Sequence, residues 1–240
     1  MRTFIFLLLS GTAHLFSQNL LSPKNIKIDP NLIQNEVSES IWYLERDGKK
    51  LEFGRVITEL RKLNSTDLLI KTNVKMKPQR DVKYVDSSVV KMANFQPVYH
   101  SSFNPQRAME LKFGKTHVTG YHSDRNGGKK ENINIAASNY FDSSIYPILI
   151  RLLPLKEDYT AEISIFDYNP NTAKKGIMKA YILDTKKSEY KGKPVWIVKT
   201  TDDISDQSSS VTYYIDPQTR KIVKQDMDIQ GSKMSMEPMF

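Results

Sequence analysis

The fold is decided by Pro194-Val-Trp-Ile-Val-Lys-Thr200, Val211-Thr-Tyr-Tyr-Ile215 and Ile222-Val-Lys-Gln-Asp-Met227, three runs within residues 190–227. The first two runs are rich in the β-branched and aromatic residues that favour strands. Asp216-Pro-Gln-Thr219 lies between the second and third runs and has the residues of a tight turn, because proline presets φ and the aspartate can accept from the following backbone. This order predicts consecutive antiparallel strands.

The chain upstream has the same character. Ile41-Trp-Tyr-Leu44 and Leu51-Glu-Phe53 flank Asp47-Gly48, a dipeptide typical of tight hairpins. Residues 68–76 alternate between apolar and polar side chains, which predicts a strand with one dry face and one wet face. Further strand-like runs occur around residues 84–85, 89–90, 97–99, 109–113, 116–121, 131–135, 161–165 and 177–184. We therefore expect roughly ten antiparallel strands in one large sheet, and a sheet of that size curls or closes.

Two segments have the pattern of a helix. Ile145 to Leu153 is apolar on most sides, which predicts a buried helix that Asp142, Ser143 or Ser144 caps and that fills the concave side of the sheet. A second, short helix is predicted to begin at Asp29-Pro30 and to extend to about Val37. The sequence thus predicts a mainly β fold with one or two helices.

The N-terminus has the pattern of a secretory signal peptide over residues 1–17. Met1-Arg2 supplies a positive start, and the apolar run from Phe4 to Leu9 is too short to span a bilayer. We expect cleavage after Ser17, with cleavage after Ala13 as the alternative. A buried first strand is the other interpretation. Residues 18–240 then form a single domain, since no linker or repeat divides them, and the mature protein is expected to be periplasmic or secreted and soluble.

Composition limits the partners. The chain has no cysteine, which excludes disulfides, a thiolate metal site and a lipid-modified N-terminal cysteine. The net charge of +8 suits nucleic acid or an anionic surface, but export argues against nucleic acid, and acidic lipid head groups, anionic envelope polymers or a merely solubilising charge are the alternatives. The apolar run of residues 145–155 is too short and too interrupted for a transmembrane segment.

No sequence motif predicts catalysis, a cofactor or a metal. His100, His117 and His122 could hold zinc only if a bulge at Gly120 brought the last two to one face of their strand. The acidic residues within Thr201–Asp206 lack the spacing of a calcium loop. Serines are frequent, but none lies in a nucleophile-elbow motif. We therefore predict a protein that is not an enzyme.

The closing Tyr213-Tyr-Ile-Asp-Pro-Gln-Thr-Arg-Lys-Ile-Val223, with Val195-Trp-Ile-Val198 and Leu152-Leu-Pro-Leu155 before it, resembles the LolA/LolB-like lipoprotein-carrier superfamily. The similarity covers roughly residues 40–230 and is greater to the functionally unassigned periplasmic branch. It implies a half-open β-barrel around an apolar helix, and an apolar cavity that holds acyl chains. No set of ligand residues carries over from the superfamily.

The leading hypothesis is an exported, non-enzymatic envelope protein that binds an acyl chain or another hydrophobic molecule in the concave face of a curved sheet. The residues predicted to line this cavity are Ile145, Ile148, Leu149, Leu152 and Trp196. The alternative is a structural or protein-interaction module of the envelope with a closed core. A hydrolase is the third hypothesis, and it requires serine or carboxylate groups that converge in one cleft.

Overall fold

The computed structural model describes residues 20–77 and 82–239, and the predicted signal peptide lies outside these residues. The predicted mainly β fold is confirmed, because the described strands form one large curved sheet. The strands are β1 (Leu20–Leu21), β2 (Glu36–Arg46), β3 (Lys49–Lys62), β4 (Asp67–Met76), β5 (Tyr84–Lys91), β6 (Pro97–Phe103), β7 (Arg107–Phe113), β8 (His117–Asp124), β9 (Lys130–Ala136), β10 (Phe141–Asp142), β11 (Ala161–Asp167), β12 (Gly176–Tyr190), β13 (Lys193–Asp202), β14 (Ser209–Ile215), β15 (Ile222–Ile229) and β16 (Ser232–Pro238). The helix α1 spans Tyr146–Leu152.

The sheet consists of two antiparallel series that meet at the ends of the chain. Strands β2 to β9 pair in sequence order, and so do β11 to β16. The two series join where β16 pairs with β2, with Met236 opposite Trp42. The free side of β11 receives the short parallel strands β1 and β10. Because β9 and β1 end the order of paired strands, the sheet is open.

The predicted turns are present. Asp47 and Gly48 adopt positive φ values of 52° and 70° between β2 and β3, as the tight hairpin requires. Asp216 accepts from the backbone N–H groups of Gln218 and Thr219 at 2.9 and 2.7 Å between β14 and β15. The left-handed residues of the first turn therefore fix the register of β2 and β3, and the carboxylate of the second turn fixes that of β14 and β15.

Two helix predictions are wrong in detail. The first helix is only the 3₁₀ turn Pro30–Leu32, capped by Asp29, because pairing with β3 makes the chain extended from Glu36 onward and places Val37 in β2. At α1, the N-cap is Ile145 and its side chain makes no capping bond. Asp142 instead accepts from the N–H of Ser144, one turn before the helix.

The core lies between α1 and the sheet. Leu149 and Ile150 of α1 are fully buried and belong to one apolar cluster that includes Leu60 on β3 and Val198 on β13. This cluster therefore holds both series of strands against the same helix. In the part of the chain that the structure describes, no helix is long and apolar enough to cross a membrane.

A second apolar cluster joins the two ends of the sheet. It contains Met109, Val118 and Ile133 of β7–β9, and also Phe166 of β11 and Tyr140. Strands β9 and β11 are not neighbours in the order of paired strands. Side-chain packing, rather than backbone hydrogen bonds, therefore brings them together. The result is a barrel-like shape in which apolar side-chain contacts replace strand pairing on the side between β9 and β11.

Candidate functional site

We use the term inner face for the face of the sheet that carries the core residues Leu60 and Tyr213. Directly paired residues share a face, and alternate residues of a strand return to it. Gly54, which alternates with Leu60 along β3, pairs with Trp42, and Trp42 pairs with Met236. Met236 pairs in turn with Gln225, and Gln225 pairs with Tyr213. The inner face is therefore continuous from one series of strands to the other.

Part of this inner face is apolar but incompletely covered. We define the inner strip as six half-buried residues of β2–β4 and β14–β16: Trp42, Val56, Val74, Val211, Met227 and Met236. Ser40, Thr58 and Thr72 lie among them on the same face, so the surface is amphipathic.

Trp42 is the best-defined member of the inner strip. Its ring packs edge-on against Phe53, with 5.1 Å between the ring centroids. Its Nε1 is buried and has no hydrogen-bond partner within residues 20–77 and 82–239. A buried N–H donor without an acceptor is costly, so Trp42 can donate to a molecule that binds here.

A polar cleft of about 270 Å³ reaches the same face of the sheet, because Asp86 of its lining pairs with Thr72 beside the inner strip. It lies between the inner face of β5–β7, the segment before α1 and the end of β11, and Ile204 of the β13–β14 loop closes one side. The ionisable groups that line it are those of Asp86, His100, Arg107, Asp142, Asp167 and Tyr168, and Ser143 and Ser144 add hydroxyls.

Four side chains in and behind this cleft form one hydrogen-bonded network. Ser88 donates to Asp142 Oδ2 at 2.7 Å, and its Oγ lies 2.9 Å from His100 Nδ1. Asp142 Oδ2 also lies 3.1 Å from His100 Nδ1. Ser144 Oγ lies 3.2 Å from the same nitrogen. The network connects β5, β6 and the segment that leads into α1.

Burial and charge oppose each other in this network. Burial alone lowers the pKa of His100, but the charge and hydrogen bond of Asp142 outweigh it and raise that pKa overall. Burial alone raises the pKa of Asp142, yet His100 and the donors Ser144 and Ser88 lower it overall. Burial raises the pKa of Asp167 in the same cleft. Asp142 therefore favours the protonated form of His100, and His100 favours the ionised form of Asp142.

The network does not have the geometry of a serine nucleophile with its base. A catalytic histidine contacts the nucleophile through one ring nitrogen and the orienting carboxylate through the other. Here Ser88, Ser144 and Asp142 all lie at Nδ1 of His100. Ser88 is also 3% exposed and gives its proton to Asp142. Serine and carboxylate groups therefore converge in one cleft, but not in the arrangement of a nucleophile with its base.

The five residues predicted to line an apolar cavity lie together in the core. The side chains of Ile145, Leu149, Leu152 and Trp196 are buried in the cluster around α1, and Ile148 is half-buried against it. Five cavities of about 270–610 Å³ in the described part of the chain are lined by other residues. Ligand binding at these five positions remains a prediction.

The other sequence candidates are separated. Strand β8 pairs with β7 without interruption through Gly120, so His117 is exposed and His122 is buried on the opposite face. In the described ranges, no cluster of three or more histidine, aspartate or glutamate side chains could hold a metal ion. In the acidic loop, Asp202 accepts from the hydroxyl of Tyr146 at 2.9 Å.

Sequence reasoning found some of the site and missed the rest. The alternation of residues 68–76 correctly placed Val74 on the same face of β4 as the buried Leu68 and Ile70. The meeting of Ser88, His100 and Asp142 had no sequence signal, because their spacing matches no motif and depends on how three separate elements pair.

Comparisons with known proteins agree with the fold. The model of DUF3108, described as a protein of unknown function, matches residues 41–237. No curated protein is detectably similar in sequence. A beta-barrel-like protein of the DUF1849 domain of unknown function from Brucella abortus has a similar fold, with a TM-score of 0.53 and 10% identity over 86% of this chain and 96% of its own. A proposed thioesterase II from Thermobifida fusca has a TM-score of only 0.14 at 8% identity over 85% of this chain and 79% of its own, which is too low to indicate a shared fold.

Proposed function

The chain belongs to the DUF3108 family of proteins of unknown function, and on that premise we propose that it is an exported, non-enzymatic envelope protein that binds the acyl chain of an amphipathic molecule along the inner strip. The inner strip carries this proposal, because it continues the apolar core and is left half-buried. An acyl chain that covers it gains about 0.8 kcal/mol for each buried CH₂, before the cost of ordering the chain.

The surroundings of the inner strip suit an amphipathic molecule rather than a hydrocarbon. Trp42 offers an unused N–H donor, and Met227 and Met236 are flexible side chains that adapt to different apolar shapes. The adjoining cleft supplies Arg107 and the His100–Asp142 pair beside the place where a polar head would lie. Residues 1–17 support export, because they have the order of charge and apolar residues that a signal peptide has.

The test uses two neighbouring residues on opposite faces of β3. Val56 lies on the inner face and Ile57 on the outer face, and both are half-buried. Val56→Glu should weaken binding of the fluorescent probe dansyl-undecanoate at least about tenfold, since a charge then lies against the acyl chain. Ile57→Glu should keep the affinity within about twofold. Palmitate should displace the probe from the unchanged protein.

Two results would contradict the proposal. One is equal loss of probe binding in Val56→Glu and Ile57→Glu when both variants unfold at the same urea concentration as the parent. The other is native mass spectrometry of protein purified from its own host in which every molecule has the mass of the bare chain.

The alternative function is an interaction module of the envelope with a closed interior. The close packing of Leu149, Leu152 and Trp196 around α1 favours it, because no acyl chain then enters the centre of the fold. Failure of the unchanged protein to bind dansyl-undecanoate, together with recovery of a specific envelope protein after cross-linking, would select this function.

A further inference from the structure

A second cavity, which we call the end cavity, lies next to the start of β6 and the end of β7. It has a volume of about 510 Å³ and shares no lining residue with the cleft. Four segments form its walls: residues 23–24, 94–97, 113–115 and 138–140. The side chain of Asn94 donates to the carbonyl of Pro23 at 2.8 Å, which ties two of these walls together.

The wall formed by Tyr140 contains an unused hydrogen-bond donor. The ring of Tyr140 is 3% exposed and packs against Phe113 and Phe166, with centroid distances of 5.9 and 5.3 Å. Its hydroxyl is buried and has no partner among the described residues. Burial raises the pKa of Tyr140 to about 12, so the hydroxyl keeps its proton at neutral pH.

The neighbouring Asn139 contains an unused acceptor. Its Oδ1 is buried and also lacks a partner within the described ranges. Its backbone has a φ of 65°, a left-handed conformation that costs energy for a residue with a side chain. One donor and one acceptor thus lie side by side in the chain, both without partners and both in the wall of one cavity.

The rim of the end cavity is positively charged. Lys24 and Lys115 are exposed there, and neither forms an ion pair with any residue that the structure describes. The remaining walls include Pro23 and Phe113, which offer apolar contact. A molecule that fits carries a negative charge, a hydrogen-bond donor and an apolar body.

We propose that the end cavity binds a small hydroxy acid with an apolar body. The carboxylate accepts from the Tyr140 hydroxyl and lies near Lys24 and Lys115, while the ligand hydroxyl donates to Asn139 Oδ1. The apolar body lies against Pro23 and Phe113. Both unpartnered atoms are almost inaccessible in the free protein, so the ligand must open the cavity wall at Asn139 and Tyr140 to reach them.

The test compares three probes by ligand-observed NMR with the full chain. Mandelate carries a carboxylate, a hydroxyl and a phenyl ring. Phenylacetate lacks the hydroxyl, and mandelamide lacks the charge. Mandelate should bind at least about tenfold more tightly than either, since each analogue leaves a buried or charged group of the site unpaired.

Tyr140→Phe separates binding from stability. It should weaken mandelate binding at least about tenfold and leave the urea midpoint unchanged or raised, because it removes a buried hydroxyl that has no partner in the free protein. Tyr168→Phe, which removes a hydroxyl from the polar cleft, should leave mandelate binding unchanged. Val56→Glu should also leave it unchanged, which distinguishes this site from the inner strip.

Three outcomes would overturn the proposal. They are equal mandelate affinity in Tyr140→Phe, no preference for mandelate over phenylacetate and mandelamide, and no saturable binding below about 10 mM. If no saturable binding is found and a crystal structure shows an ordered water between Tyr140 and Asn139, that water is the hydrogen-bond partner of the Tyr140 hydroxyl and of Asn139 Oδ1.

Discussion

His100 shows how one residue depends on one partner. Burial disfavours the imidazolium, and only the neighbouring carboxylate of Asp142 reverses that preference. The raised pKa of His100 adds stability that is complete below its unfolded value of about 6.5 and is lost as the pH rises through the folded value. The lowered pKa of Asp142 adds stability that is present above about 3.9 and is lost as the pH falls through its folded value. The pair therefore contributes most between about pH 4 and 6.5.

Asp142→Asn should reverse the titration of His100. Without the carboxylate, burial dominates, so the pKa of His100 should move from above 6.5 to below it. The variant should lose about 3 kcal/mol of unfolding free energy at pH 6, since a buried charge loses its partner. Proton–nitrogen NMR of the imidazole ring measures the first effect and urea unfolding the second.

Ser87→Ala is the matched control for that experiment, because Ser87 lies beside Ser88 on the opposite face of β5. It should leave the His100 titration unchanged. If the pKa of His100 stays above 6.5 in Asp142→Asn, another group sets the charge of His100 and our account of the network is wrong.

The sequence predicted single residues well where a local rule applies. Asp47-Gly48 and Asp216 act within their own turns, so composition alone identifies them. Ser88 and Asp142 act across elements that are far apart in the chain, and no local preference places a serine of one strand beside a carboxylate before a helix.

Helix α1 is attached to the sheet by a buried ion pair as well as by apolar packing. Arg151 of α1 lies 2.5 Å from Glu36 at the start of β2, and both side chains are mostly buried. Arg151 Nε has no further partner in the described part of the chain. The pair therefore fixes which end of α1 faces β2, while its net contribution to stability is small compared with the cost of breaking it.

Glu36→Gln should cost about 3 kcal/mol of unfolding free energy, because it leaves the Arg151 charge buried without a counter-charge. The double variant Glu36→Met with Arg151→Met should recover most of that loss. Glu59→Gln, which removes an exposed partner of Arg61, should change the urea midpoint little. A double variant as unstable as Glu36→Gln would show that the charge itself is not the cause.

The helices and strands with a clear residue pattern of their own were predicted, and those without one were not. The β13–β15 meander and the helix at 145–153 have strong patterns, and both are present. Strand β16 was missed, since Ser-Lys-Met-Ser-Met-Glu-Pro has no β-branched or aromatic residue. It is a strand because β15 and β2 pair with its two edges.

Across the whole molecule, the free energy of local opening should differ from strand to strand. Strand β15 has no buried residue, whereas β13 has Val195, Trp196 and Val198 buried on or near the core. Local opening follows the density of buried contacts. The sequence predicted one large curved sheet, but which strands stay half-covered depends on where α1 and the loops lie, and these positions are set by tertiary packing.

Hydrogen–deuterium exchange should therefore be faster in β15 and β16 than in β13 under native conditions. Mass spectrometry of peptides from each strand measures the difference. Dansyl-undecanoate should slow exchange in β2–β4 and β14–β16 more than in β13, because the inner strip lies on those strands. Equal protection of β13 and β15 in the free protein would contradict this uneven distribution.

The pairing of β16 with β2 has a consequence for biosynthesis. Met234 lies opposite Leu44, so the strand that completes the middle of the sheet is synthesised long after its partner β2. Until then the nascent chain exposes unpaired edges on β2 and β15, which can join to other chains. A product that stops before Ser232 keeps both edges permanently. The middle of the sheet therefore cannot close until β16 has been made, whatever the order in which the other strands pair.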